Sequence, residues 1–151
     1  MEAFVAVGGG FLLAVLWFDL MFDLQAHGQG DAELPESVLA SIADYYRRVT
    51  TTARPMNRLV AAAMLWTLAA IVVELATNDV AAWVGWASLT LAVVATAIGA
   101  MRTVPAAVRL GARSDAADEQ SRRARAILRE HAVCCVLIAA LVTLQLVSAT
   151  S

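Results

Sequence analysis

The chain has 151 residues, of which 60% belong to the hydrophobic set and only 16% are charged. A soluble domain of ordinary composition is about 45–50% apolar and about 25% charged, so that class is excluded. A net charge of −2 and the high apolar content also argue against a nucleic-acid partner and against intrinsic disorder.

A hydrocarbon layer about 30 Å thick needs about 20 apolar residues in helical form. Four stretches qualify, at 3–24, 59–77, 80–101 and 132–149. They predict an all-α membrane four-helix bundle in which residues 1–151 form a single domain. The first stretch contains Asp19 and Asp23 and the run Gly8-Gly9-Gly10, which suits close packing against a neighbour. No basic region precedes it, so a cleaved signal peptide is not expected.

Gly28-Gln29-Gly30 breaks the chain after this span, and Pro35-Glu36 opens a helix. Val38, Leu39, Ile42, Tyr45, Tyr46 and Val49 then recur at helical spacing, which predicts an amphipathic helix on the membrane face. It serves either as a connector or as a lid over the bundle. Thr50-Thr51-Thr52 and Pro55 mark the entry to the second span, where a proline costs no intrahelical bond. That span carries Glu74 and a mid-depth Trp66.

Asn78-Asp79 forms a tight turn into the third span, which has no charge and places Trp83 and Trp86 at its interfacial end. Pro105 is expected to interrupt the chain after Arg102, and Gly111 to end a short helix. Ser114 can then cap a helix with Asp115 and Asp118 in its first turns. Nothing breaks that helix before Ala149, so at roughly 50 Å it overshoots the bilayer and extends the fourth span into the cytoplasm.

All eleven basic residues are arginines. Four lie between the first and second spans and seven between the third and fourth. Both long loops therefore belong in the cytoplasm of a bacterial-type inner membrane, with both termini outside.

Ionisable residues inside membrane segments are functional candidates. Asp19 and Asp23, four apart, share a helix face that His27 extends. Arg54, Asn57, Arg58, Arg102, Arg129, Glu130 and His131 enter at the same level. This converging cluster has three readings: structural ion pairs fixing the helices, a site for the polar group of a lipophilic molecule, or a metal site of Asp19, Asp23, His27 and His131. Trp66 is a candidate ligand contact. No cofactor is strongly implied. The adjacent Cys134 and Cys135 point apart and lack a CxxC spacing, so they read as small core residues.

The layout, with Arg54-Pro55-Met56-Asn57 at the second span, Val104-Pro105 after the third and Arg129-Glu130-His131 before the fourth, resembles the anthrone-oxygenase-like family of small four-helix membrane proteins. The resemblance implies oxygenation of polycyclic phenols without an obvious cofactor. It makes His131, Arg129, Arg54 and Asn57 the catalytic candidates, with His131 as base toward a phenol and arginine stabilising the oxyanion. Asp19 and Asp23 have no counterpart in that pattern. The functional expectations are thus binding of a lipophilic molecule or lipid near the cytoplasmic face, phenol oxygenation, a structural or accessory subunit, or metal binding. The expected partners are membrane lipids, a lipophilic small molecule, and a second copy or a larger membrane complex.

Overall fold

The computed structural model describes residues 2–28, 32–52 and 54–150, with the backbone alone at Arg54 and Pro55. Among these residues every regular element is helical. The helices are α1 (Glu2–Asp23), α2 (Glu36–Arg47), α3 (Arg54–Thr77), α4 (Ala82–Ile98), α5 (Val104–Ala112) and α6 (Ala117–Ser148). Four helical stretches are long and apolar enough to cross a membrane: Glu2–Ala26, Met56–Thr77, Ala82–Ala112 and Ala117–Ser148. Their outward faces expose Phe11, Trp17, Phe18, Leu65, Trp83, Trp86 and Val136 among others. An apolar surface of this extent needs hydrocarbon around it rather than water.

The four long helices close a ring in which α1 packs on α3 and α6, and α4 packs on α3 and α6. Small residues set the spacing. A Cβ on Gly8 would clash with the Thr67 hydroxyl, and one on Gly9 would meet Val142 at 2.6 Å. Gly10 faces open space, so packing uses two glycines of the run. Between α3 and α4 the chain reverses at Asn78, which adopts a left-handed φ of 53°.

The expected break at Pro105 is absorbed in a wide helical turn. Residues Gly99–Thr103 form a π-helical segment that carries α4 into α5. Pro105 therefore does not interrupt the chain, because the π turn accommodates the hydrogen bond that proline cannot make. A second π segment, Arg48–Thr52, leads from α2 towards α3. Gly111 lies inside α5, which ends at Arg113 in a left-handed conformation. A Cβ at Gly111 would meet the Arg47 backbone nitrogen at 2.8 Å, so this glycine permits helix contact instead of stopping a helix. Ser114 provides no cap. Helix α6 starts at Ala117 after Ala116, with no side-chain cap, so Ser114 lies two residues ahead of the cap position, and Asp115 bonds Arg109 at 2.8 Å and Arg123 at 2.9 Å. The Arg109 hydrogen bond, helped by both guanidinium charges, holds the Asp115 carboxyl below the usual carboxylate range.

At the arginine-bearing end α2 packs mainly on α5 and also on α6. Leu39, Ile42, Tyr46, Ala107, Leu110 and Ile127 form a common core there. The apolar stripe read from the sequence thus buries against protein. Gln29, Gly30 and Asp31 lie outside the described residues, so the expected break at Gly28-Gln29-Gly30 is seen only at Gly28, with φ 77°.

Candidate functional site

The α1 span ends at Asp23, and one 3-10 turn, Leu24–Ala26, follows it. One turn of helix earlier, Asp19 faces the same way. Above both carboxylates α2 presents the adjacent phenols of Tyr45 and Tyr46. Tyr46 donates to Asp23 Oδ1 at 2.5 Å and Tyr45 donates to Asp19 Oδ1 at 2.5 Å. Such short O–H to carboxylate bonds are charge-assisted. From α6, His131 Nδ1 lies 2.6 Å from Asp23 Oδ2, and its Nε2 lies 3.8 Å from Asp19 Oδ2. Asp23 is 1% exposed, and the His131 side chain is 9% exposed.

Three helices therefore converge on one carboxylate–imidazole–phenol constellation. Burial is the main reason that both phenols ionise well above the ordinary tyrosine range. The Asp19 hydrogen bond adds to this at Tyr45, and the Asp23 charge and hydrogen bond add to it at Tyr46. Both therefore remain neutral donors. With Nδ1 occupied by Asp23, Nε2 is the remaining nitrogen of the imidazole.

This constellation forms the polar end of a cleft of about 590 Å³ lined by residues of all six α-helices. Asp19, Tyr45, Tyr46, Asn57, Thr103 and His131 are among its polar lining residues. Leu12, Leu16, Phe18, Val60, Met64 and Ile138 are among the apolar lining residues. Small-molecule sites have this volume and this balance. Phe22, also in the wall, stacks on Tyr45 with ring centroids 4.0 Å apart. The Cys134 thiol, a further lining group, donates to the Ala95 carbonyl at 3.7 Å. Cys134 and Cys135 are both free.

The sequence-derived candidates divide sharply. Asp19, Asp23 and His131 come together, and Asn57 reaches the cleft while exposed. His27 does not extend the carboxylate stripe, because the chain leaves helical geometry there (φ −77°, ψ 149°) and His27 is exposed. Arg58, Arg102 and Arg129 are exposed and do not line the cleft. Arg102 instead pairs with Glu130 at 3.0 Å, and Glu130 also accepts from Thr103 at 2.9 Å. The side chain of Arg54 lies outside the described residues. Trp66 is remote from the cleft, donating to the Phe4 carbonyl at 3.3 Å. Among the described residues no three His, Cys, Asp or Glu side chains are grouped to hold a metal ion.

Sequence reasoning assigned Tyr45 and Tyr46 to the apolar stripe and missed their hydroxyls. The available signal was that a buried tyrosine needs a partner for its O–H, and two were due to be buried beside two unmatched carboxylates.

No protein-family model matches the chain, and no curated protein and no solved structure matches it.

Proposed function

We propose that the protein is a multi-pass membrane protein that holds a neutral, hydroxyl-bearing lipophilic molecule in this cleft, at the cytoplasmic side of a bacterial-type inner membrane. The arginine distribution supports that orientation, with both termini outside. The α2–α5 pair acts as an interfacial cap over the bundle, tied down by its two tyrosine–aspartate bonds.

The observation that carries the reading is the sign of the cleft's polar end. Two carboxylates and one imidazole line it or stand directly behind it, while the arginines whose side chains are described bond elsewhere or face outward. Asp19 Oδ2 and His131 Nε2, 3.8 Å apart, are too far apart to bond each other. They suit a shared donor such as a ligand hydroxyl. An anionic headgroup would meet carboxylate instead of guanidinium, so phosphate-bearing lipids are disfavoured.

The test is organic extraction of protein purified in mild detergent, followed by mass spectrometry. The expected result is a neutral alcohol, phenol or hydroquinone at near-stoichiometric amount, lost in Ala100→Phe, which places a ring at the exposed mouth of the cleft. An empty wild-type protein that also fails to bind an alkylphenol contradicts the proposal.

A second reading is acid–base catalysis on a phenol. It is favoured by the Asp23–His131 pair, in which the carboxylate fixes the imidazole and leaves Nε2 as a base. It agrees with the resemblance to the anthrone-oxygenase-like family, except that no described arginine lines the cleft to stabilise an oxyanion. Turnover of a polycyclic phenol by wild type and its loss in His131→Gln support this reading. Binding without turnover leaves the protein as a carrier or sensor.

A further inference from the structure

Away from the cleft, near the end of the ring formed by the Asn78 turn, lies a second polar group that the proposed function does not use. Glu74 on α3, Ser88 on α4 and Gln145 on α6 each have no exposed surface. Gln145 Nε2 donates to Glu74 Oε2 at 3.1 Å and lies 3.0 Å from Ser88 Oγ. Two buried acceptors remain unsatisfied, Glu74 Oε1 and Gln145 Oε1.

Leaving both without a donor in hydrocarbon is costly, and leaving a bare carboxylate there is costlier still. All the arginines belong to the opposite end by sequence position. Of the charges that act on Glu74, the N-terminal ammonium favours a carboxylate, while Glu2 at the start of α1 and Asp79 after α3 are acidic and oppose it. A trapped water could donate to both oxygens but would leave the negative charge in place. A proton on Oε1 removes the charge and supplies a donor for Gln145 Oε1.

We infer that Glu74 and Gln145 form a buried proton-binding site, a neutral carboxylic acid–amide pair in which each partner donates to the other. Ser88 fixes the amide, and the pair latches α3 to α6. The site lies near one face of the ring, so it exchanges its proton with that face and provides no path to the cleft.

The test is infrared spectroscopy of the full chain carrying ¹³C-labelled glutamate carboxyls, in lipid nanodiscs at neutral pH. Glu2, Glu33, Glu36, Glu119 and Glu130 are not buried, so a protonated-glutamate C=O stretch that shifts with the label reports Glu74. The expected spectrum contains that band, unchanged when choline is replaced by sodium, and Glu74→Gln abolishes it. A spectrum with only carboxylate bands overturns the inference. So does conversion of the band to carboxylate by sodium, which assigns the site to a metal cation. A parallel measurement is thermal unfolding. Glu74→Gln, which preserves a neutral reciprocal pair, keeps the wild-type midpoint while Glu74→Ala lowers it; a Gln variant as damaged as the Ala variant contradicts the neutral pair.

Discussion

Tyr46 and Asp23 decide how α2 sits on α1. Replacing Tyr46 by Phe leaves Asp23 Oδ1 without its donor in a site that water does not reach. Loss of a partner from a buried acceptor costs about 1–3 kcal/mol, so Y46F lowers unfolding stability in detergent by that order. Tyr45→Phe, at the half-buried Asp19, costs less. The same phenols give a pH signature. The protein contains only these two tyrosines, and both ionise above the ordinary range, about 10. A group whose ionisation is raised on folding contributes its stability in full below the unfolded value and loses it as pH rises through the folded one. An ultraviolet titration therefore shows no tyrosinate through pH of about 10, and ionisation then coincides with unfolding. A normal tyrosine titration of the folded protein contradicts the Tyr–Asp bonds. At this scale the sequence revealed Asp19, Asp23 and His131, because ionisable groups in apolar stretches stand out. It concealed the tyrosines, whose rings satisfy the amphipathic pattern and mask their hydroxyls. It did not reveal that Arg58, Arg102 and Arg129 stay outside the cleft, because proximity in depth does not determine whether a long side chain turns inward or toward solvent.

The elements were legible where one physical rule dominates. Hydrocarbon thickness fixed four long apolar helices, and Pro35-Glu36 marked the start of α2. Local signals failed where tertiary contact overrode them. Pro105 reads as a break only if the hydrogen-bond ladder is rigid, and the π segment shows that it is not. Gly111 reads as a helix stop until α2 is seen against it. That contact makes a prediction: Gly111→Ala pushes a methyl against Arg47 backbone, which cannot rotate away, and destabilises by about 1–3 kcal/mol. Gly10→Ala, with nothing within 4 Å, does not lower the unfolding midpoint, because alanine is the better helix former. Comparing the two variants in one detergent checks this; equal effects contradict the close approach of α2 and α5.

Over the whole molecule, both arginine-bearing connectors meet at one end. Arg113 pairs with Glu36 at 2.7 Å, the Leu34 amide donates to Ser121 at 3.0 Å, and Arg125 donates to the Ala32 carbonyl. Single cysteines placed at Ser37 and Ser114, in a background without Cys134 and Cys135, are expected to react with an impermeant thiol reagent from the cytoplasmic side only. Labelling of both from outside reverses the orientation. The polarity of the cleft is the central claim, and it is tested most directly by comparing two ligands with the same alkyl chain, one ending in a phenol and one in a phosphate monoester. Isothermal titration in nanodiscs is predicted to give saturable binding of the phenol at least tenfold tighter than the phosphate, weakened by His131→Leu. Preference for the phosphate, or phenol binding unaffected by the loss of His131, would contradict the account.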